Sequence, residues 1–282
     1  MLKSLYRFLS PRFQTLFLEY KVAFKPRYGY GLPAHKRLLE IMETQRETYQ
    51  FWLDKINGFA PQLQAIKKLA EVKDPTQPGW NNDFLPGLDI VALYAIIAES
   101  KPHRYVEVGS GNSTKVAHKA VIDHGLSTKI ISIDPYPRAE IDSLAHEIVR
   151  KPFEAVDTRW LAELDAGDIL FIDNSHRMLP NSDVTVFFLE TLPALKPGVI
   201  VHVHDIYLPY DYPQFMCDRF YSEQYGLAIA LMANPQRYLP IFPAYFISED
   251  AALSSSIASI WEHPNTQGVE RHGGSFWLKI GG

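Results

Sequence analysis

The chain has 282 residues, of which 46% are hydrophobic and 21% are charged, and its formal net charge at pH 7 is -4. This is the composition of an ordinary soluble globular protein, and the absence of a basic stripe gives no reason to expect a nucleic-acid partner. The single cysteine, Cys217, excludes an intrachain disulfide and fits a reducing compartment, so we expect a cytoplasmic protein.

Residues 1–24 combine basic side chains with Leu, Phe and Tyr, in the sequence MLKSLYRFLSPRFQTLFLEYKVAF. No apolar run approaches the roughly 18 residues that span a bilayer. No small-residue cleavage site follows, so we expect neither a transmembrane segment nor a secretory signal. We interpret the stretch as an aromatic helix that docks on its own domain or on a sister subunit, with a helix at a membrane surface as the alternative.

Residues 33–72 carry apolar side chains at steps of three and four, which predicts two helices divided at Pro61. We interpret residues 1–79 as an N-terminal helical extension that either covers an active site or makes a homo-oligomer contact. Residues 80–282 would then form the main domain.

The turn-rich stretch from Asp74 to Gly87 joins these two parts. Loops often carry binding residues, so its polar side chains are candidates for lining a site, and a solvated loop is the open alternative. The candidates are Trp80, Asn81, Asn82 and Asp83.

From residue 88 onward, strand and helix patterns alternate, which predicts an open α/β sheet with right-handed crossovers. Helices are predicted at Leu88–Ser100, Lys115–His124, Ala139–His146, Ser182–Leu192 and within 210–231. Strands are predicted at Tyr105–Val108, Ile130–Asp134, Glu147–Arg150, Asp168–Asp173, Val199–Val203, Ala244–Ile247 and Ser275–Ile280. Residues 248–274 are interpreted as a peripheral loop.

The first of these strands leads through a glycine turn into a capped helix, in the sequence RYVEVGSGNST. Gly109 and Gly111 allow a ligand to approach the backbone closely, and the free N–H groups of the new helix are donors for its polar end. Glu107, Ser110 and Ser113 complete the candidate cradle.

Asp134 ends the second strand about 20 residues after this turn, where an acidic side chain accepts both hydroxyls of a ribose in doubly wound folds. A dinucleotide fingerprint needs a third glycine, and this sequence has Thr114 there. Together with the acid at Glu107, this favours a ligand with a ribose and a cationic amino-acid tail. An NAD(P)-dependent oxidoreductase is therefore the second interpretation.

Two short motifs resemble those of class I S-adenosylmethionine-dependent methyltransferases. They are EVGSGNST, which resembles motif I, and SIDP, which resembles the acidic motif that follows it in that family. The resemblance continues through FIDNSH, PGVIVHVHDIYLP and GGSFWL, from about Trp80 to the end of the sequence. It implies a Rossmann-like, seven-stranded, mostly parallel sheet with an antiparallel last strand, and S-adenosylmethionine as the cofactor. A non-catalytic binding protein that retains this fold is a further alternative.

Polar residues follow the predicted strands at the carboxyl edge of the sheet, where open parallel sheets bind ligands. Methyl transfer to a hydroxyl requires oriented reactants and a base, and histidine has a suitable pKa. We therefore predict His176 as the base and Asp173 as a catalytic and cofactor-binding residue. The alternative for His176 is a hydrogen bond that only fixes the turn. The alternative for Asp173 is a plain loop cap.

The pair Asp173 and His176, followed by a polar pair on the next strand, resembles metal-dependent sugar O-methyltransferases of antibiotic pathways. The resemblance implies a sugar or small-molecule acceptor and a metal site at Asp173, His204 and Asp205. His204 stands where that family has a second acid, which weakens the case for magnesium. Manganese, another divalent cation or no metal remains open.

Three further interpretations concern single residues. Glu154 or Asp157 is a candidate contact for an adenine amino group, and His202 is interpreted as a core histidine. The aromatic residues after the fifth strand are candidates for lining an acceptor pocket. They are Tyr207, Tyr210 and Tyr212.

Overall fold

The computed structural model describes residues 2–11, 13–137 and 139–282, so Met1, Arg12 and Arg138 lie outside the described residues. The strands are β1 (Lys67–Lys68), β2 (Gly79–Trp80), β3 (Arg104–Val108), β4 (Lys129–Ile133), β5 (Glu147–Val149), β6 (Ile169–Ile172), β7 (Ile200–Val203), β8 (Tyr238–Pro243) and β9 (Phe276–Ile280). The helices are α1 (Leu2–Leu9), α2 (Lys36–Glu43), α3 (Arg46–Gly58), α4 (Ala60–Gln64), α5 (Gly87–Ser100), α6 (Asn112–Asp123), α7 (Asp183–Val186), α8 (Leu192–Ala194), α9 (Gln214–Cys217), α10 (Glu223–Ala233), α11 (Ala244–Glu249) and α12 (Ala251–Ser255).

The main sheet has seven strands in the order β5-β4-β3-β6-β7-β9-β8. The first five strands of this order run parallel, and β9 is antiparallel to both β7 and β8. All four residues of β6 are buried, as expected for a central strand with helices on both faces. This confirms the predicted Rossmann-like sheet with its antiparallel last strand.

The predicted strand at Ala244–Ile247 is wrong, because these residues begin helix α11. The edge strand that pairs with the outer side of β9 is β8, which contains Pro240 and Pro243. Proline is compatible with a strand at the edge of a sheet, where no neighbour requires its missing N–H. β8 lies at the sheet edge, and this position could not be read from the local pattern.

The predicted helix at Ala139–His146 is also wrong, since these residues form turns between β4 and β5. Ile141 and Leu144 are buried there at a spacing of three, which imitates a helical pattern. By contrast, the predicted helix at Ser182–Leu192 is found as α7 and α8, joined by a π-helical segment at Phe187–Thr191.

Helices α2 to α4 share one continuous hydrophobic core with α5 and the main sheet. The predicted break at Pro61 lies at the start of α4, while a second break separates α2 from α3. The division into residues 1–79 and 80–282, and the role of the first part as a lid or oligomer contact, stay predictions.

The aromatic N-terminal stretch is helical only over α1, and its large apolar side chains from Tyr6 to Phe24 are exposed. These side chains therefore do not pack into the core of their own domain, and docking on a sister subunit stays a prediction. Within the described residues, no helix is both long and apolar enough to cross a bilayer.

Candidate active site

The carboxyl ends of β3, β4 and β6 meet at the glycine turn that follows β3. Gly109 has a φ of 85°, and a Cβ atom built on it would overlap the carbonyl oxygen of Asp173. The N–H of Gly109 donates to the carbonyl of Ile133 at the end of β4, at 3.0 Å. Glycine is thus required both by the left-handed backbone and by the close approach of the chain after β6.

A cavity of about 330 Å³ opens at this turn. Its polar lining includes four of the residues predicted to bind a cofactor, namely Gly109, Ser110, Asp134 and Asp173. The carboxylate of Asp134 accepts hydrogen bonds from the N–H groups of Ser110 at 2.8 Å and Tyr136 at 2.7 Å. These bonds fix the carboxylate at the wall of the cavity.

The other predicted cradle residues lie behind this wall. Glu107 is fully buried and accepts hydrogen bonds from the hydroxyls of Ser113 at 3.1 Å, Tyr105 at 3.3 Å and Thr114. Burial raises the pKa of Glu107 to about 7, although these hydroxyls lower it. Gly111 is the N-cap residue before α6, and its N–H donates to the hydroxyl of Thr114 at 3.1 Å. Direct cofactor contacts by Glu107, Gly111 and Ser113 stay predictions.

The far side of the cavity is formed by the chain after β5 and by the residue that follows Asp173. Glu154 lines the cavity beside the buried ring of Phe153. Asp157 does not line the cavity, and its carboxylate pairs with Arg159. Both polar atoms of the Asn174 side-chain amide are buried and have no hydrogen-bond partner among the described residues. An unpartnered buried amide in a cavity wall is costly without a ligand.

A second, larger cavity of about 540 Å³ adjoins the first one, and Asp173 lines both. Its polar wall at the carboxyl edge consists of Asp173, His176, His204 and Asp205. Asn81, Asn82 and Asp83 also line it, whereas Trp80 is buried with its indole N–H on the carbonyl of Ile66. The interpretation of residues 248–274 as peripheral is wrong, since Gly268, Glu270 and His272 line this cavity.

His176 lies at the centre of the second cavity's polar wall. Its Nε2 atom is 3.4 Å from Oδ1 of Asp173 and 3.4 Å from Oδ2 of Asp205. Its Nδ1 atom is 2.9 Å from Oε2 of Glu223, and its ring stacks on Tyr221 with a centroid distance of 4.8 Å. The imidazole is therefore held on three sides, with Nε2 directed to the two rim carboxylates.

Charge governs the protonation of this cluster. Burial lowers the pKa of His176, but the carboxylates of Asp173, Glu223 and Asp205 together raise it to about 10. Burial raises the pKa of Asp173, yet the positive imidazoles of His204 and His176 hold it well below its usual range. His176 and His204 therefore lie among carboxylates that favour their protonated forms.

His204 is tied into the same cluster from the opposite side. Its Nε2 atom is 3.2 Å from the buried carboxylate of Asp89, and its Nδ1 atom is 3.6 Å from Asp173 and 3.7 Å from Asp205. Burial lowers its pKa, but the carboxylates of Asp173, Asp89 and Asp205 raise it well above its usual range.

The three residues of the predicted metal site, Asp173, His204 and Asp205, lie together, and the two carboxylates form ion pairs with the imidazole of His204. Across the part of the chain that the structure describes, no three His, Cys, Asp or Glu side chains are arranged to hold a metal ion. The carboxylates face imidazole nitrogens at 3.4–3.7 Å, and nothing in this arrangement supports the predicted divalent cation.

Sequence reasoning missed two carboxylates of this site, Asp89 and Glu223. Asp89 lies in the first turn of α5 and accepts hydrogen bonds from the N–H groups of Gly274 at 2.8 Å and Ser275 at 2.9 Å. The sequence does contain a signal for Asp89, which is the one acid in the apolar run LDIVALYAIIA, since a buried acid usually has a partner. Glu223 begins α10 without any comparable signal in its neighbours.

The remaining candidates divide between core and pocket. His202 is buried, stacks on Phe171 and pairs through Nε2 with the hydroxyl of Ser275 at 2.8 Å, as interpreted. Tyr207 lines the larger cavity. Tyr210 lines a separate apolar cavity, and the hydroxyl of Tyr212 accepts a hydrogen bond from the N–H of Gln224 in the core.

Residues 106–206 match the family model described as a methyltransferase domain. This range runs from β3 to the end of β7 and includes the glycine turn, Asp134, the polar residues after β6 and His204 with Asp205. This part of the chain is thus similar to methyltransferase domains. No curated protein matches the chain.

Among solved structures, the chain is similar to the methyltransferase PaMTH1 of Podospora anserina bound to SAH. The identity is 14% over 68% of this chain and 78% of that chain, with a TM-score of 0.41. It is also similar to the O-methyltransferase TomG of Streptomyces achromogenes in complex with SAM. There the identity is 16% over 67% of this chain and 78% of that chain, with a TM-score of 0.31. At these values neither structure indicates an acceptor for this chain.

Proposed function

We propose that this chain is an S-adenosylmethionine-dependent methyltransferase that methylates a hydroxyl of a small polar molecule or a sugar. The observation that carries the proposal is the position of Asp173 in the wall between two adjoining cavities. One cavity has the glycine turn and the Asp134 carboxylate, and the other has His176 and Asp205. A cofactor and an acceptor that bind in two adjoining cavities can be held next to each other, as a transfer reaction requires.

The residues of the smaller cavity fit an adenosyl amino acid. Asp134 offers both carboxylate oxygens to a ribose, Glu154 offers an acceptor to an adenine amino group, and the Asn174 amide offers a donor and an acceptor that lack partners. Asp173 would face the positively charged end of the cofactor. When bound, the cofactor would supply a methyl group on its sulfonium sulfur, and S-adenosylhomocysteine would be the leaving group when the acceptor oxygen takes that methyl group.

In the larger cavity, His176 would take the proton of the attacking hydroxyl on Nε2. Glu223 holds the opposite ring nitrogen and so aims Nε2 at the cavity. A cationic cofactor beside the cluster opposes a second positive charge, which lowers the pKa of His176 and favours the neutral imidazole that a base requires. The carboxylates and imidazoles of this wall, together with the phenols of Tyr207 and Tyr221 in the same cavity, suit an acceptor with several hydroxyl groups.

No step of this proposal passes through a metal ion. The predicted ligands Asp173 and Asp205 face the imidazoles of His176 and His204, and His204 stands where the sugar-type metal site has its second acid. The acceptor orientation and the proton transfer are both assigned to side chains.

Calorimetry with S-adenosylhomocysteine and with NADH tests the cofactor assignment. We expect heat with the first ligand only, and a roughly 100-fold weaker affinity in Asp134→Ala, since hydrogen bonds to a charged group contribute about 1.5–3 kcal/mol each. Asp54→Ala, an exposed carboxylate on α3, is the matched control and should bind like wild type. Binding of NADH without S-adenosylhomocysteine would overturn the proposal.

A further inference from the structure

An N-terminal stretch of the described chain presents large apolar side chains to solvent, and we name residues 6–27 the basic–aromatic segment. Ten large apolar residues of this segment are exposed by 37 to 77% of their surface. They are Tyr6, Phe8, Leu9, Phe13, Leu16, Phe17, Leu18, Tyr20, Val22 and Phe24. A soluble protein rarely exposes so much contiguous apolar surface without a partner for it.

The charge of the same region is opposite to that of the rest of the chain. Residues 1–27 contain six basic residues and one acidic residue, so they carry +5. Because the whole chain carries -4, residues 28–282 carry -9. Among the described residues, no ion pair joins Lys21, Lys25 or Arg27 to a carboxylate. The positive charge is therefore free to meet an anionic partner.

The segment is attached to the body beside the mouth of the larger cavity. The ring of Phe24 lies 4.8 Å from that of Phe220, and the carbonyl of Phe24 accepts a hydrogen bond from the side chain of Gln214 at 2.7 Å. The N–H of Arg27 donates to the carboxylate of Asp211 at 2.9 Å. Gln214 begins α9, whose next residue, Phe215, is exposed and lines that cavity.

We propose that the basic–aromatic segment docks this protein on the surface of an anionic lipid bilayer, with the mouth of the larger cavity beside the docked face. Phe and Tyr rings insert at the boundary of headgroups and acyl chains, while Lys and Arg pair with anionic headgroups. The exposed rings of Phe215 and Phe220 extend this apolar surface to the cavity.

A second copy of the chain fits this surface less well. A two-fold symmetric contact brings the same patch of both copies together. Two such segments, each with five basic residues and one acidic residue and so a charge of +4, would then face each other and repel. An anionic bilayer instead satisfies the apolar and the basic side chains at the same time.

Vesicle sedimentation of the full chain tests this proposal without any methyl-transfer assay. We use vesicles of phosphatidylcholine alone and vesicles in which about a third of the lipid is phosphatidylglycerol. We expect binding to the anionic vesicles only, and at least a tenfold loss on raising the salt from about 0.1 M to 0.5 M.

Two variants separate the charge from the apolar contribution. Lys21→Glu/Lys25→Glu should lower the partition coefficient at least tenfold, because each cation near the surface contributes roughly fivefold. Phe13→Ser/Phe17→Ser should abolish binding at unchanged charge. Lys129→Glu/Lys279→Glu changes the charge equally at exposed positions of β4 and β9, and it should bind like wild type. The thermal unfolding curve of each variant verifies the fold.

Either of two results overturns the proposal. One is a wild-type chain that sediments with neither type of vesicle. The other is a stable dimer, seen by sedimentation velocity without lipid, that Phe13→Ser/Phe17→Ser converts to a monomer, since the segment would then belong to a second copy.

Discussion

The Nδ1 atom of His176 lies 2.9 Å from the Oε2 atom of Glu223, although 47 positions separate the two residues. The N–H groups of Ser222 and Glu223 also donate to the carbonyl of His176, at 2.9 Å and 3.3 Å. The start of α10 thus holds both the backbone and the ring of His176. In the proposed function, Glu223 would be a positioning residue, because it would act on the acceptor only through the imidazole.

Glu223→Gln should separate positioning from binding. We expect kcat to fall about 100-fold, because the imidazole loses the carboxylate that orients it, while KM and the affinity for S-adenosylhomocysteine stay within about twofold. The measurement is methyl transfer to the best substrate of a panel of hydroxylated acceptors, with calorimetry beside it. Glu190→Gln, at an exposed position, is the control. An equal loss of cofactor affinity would indicate a merely structural role for Glu223.

Gly109→Ala should destabilise the fold far more than an alanine at another left-handed glycine. A methyl group at Gly109 meets the carbonyl oxygen of Asp173, whereas Gly125 has a φ of 57° and no heavy atom within 4 Å of the added carbon. We expect Gly125→Ala to cost about 1–2 kcal/mol from the backbone conformation alone. Gly109→Ala should cost about 3 kcal/mol or more.

Urea unfolding of both variants measures this difference. Gly109→Ala should also lose affinity for S-adenosylhomocysteine, since the added methyl group would displace Asp173, which lines both cavities. Equal free energies of unfolding for the two variants would contradict the close contact between Gly109 and Asp173.

The sequence predicted the sheet and the carboxyl-edge residues because both depend on local patterns. Apolar runs that end in polar residues place Asp134, Asp173 and Asp205 at one edge wherever the strands are parallel. Glu223 and Asp89 escaped prediction because their roles arise from tertiary packing of α10 and α5 on that edge. Strand β8 escaped because its edge position, which permits its prolines, is a property of the whole sheet.

Glu154→Ala should weaken the binding of S-adenosylhomocysteine about tenfold. Its carboxylate lines the smaller cavity, and the loss of one hydrogen bond to a charged acceptor costs about 1.5 kcal/mol. Asp157→Ala is the matched control, because that carboxylate pairs with Arg159 instead. Calorimetry with both variants decides between the two acids, and a loss confined to Asp157→Ala would assign the adenine contact to Asp157.

Glu107 should make the stability of this protein depend on pH. Burial raises the pKa of its carboxyl from 4.5 to about 7 in the folded chain. Between these values the folded state binds more protons than the unfolded state, so the free energy of unfolding falls as pH rises. The full penalty, about 3 kcal/mol for this difference in pKa, applies above pH 7 and is absent below pH 4.5.

Glu107→Gln removes this titration while keeping an oxygen that accepts from the neighbouring hydroxyls. Urea unfolding at about pH 5 and pH 8 should therefore show a smaller pH dependence in the variant than in wild type, by about 2–3 kcal/mol. Glu262→Gln, at an exposed position, should leave the pH dependence unchanged. If Glu107→Gln and wild type lost the same stability between the two pH values, Glu107 would be ionised in the fold at both. Its carboxylate would then have to be held by more than the three hydroxyls around it.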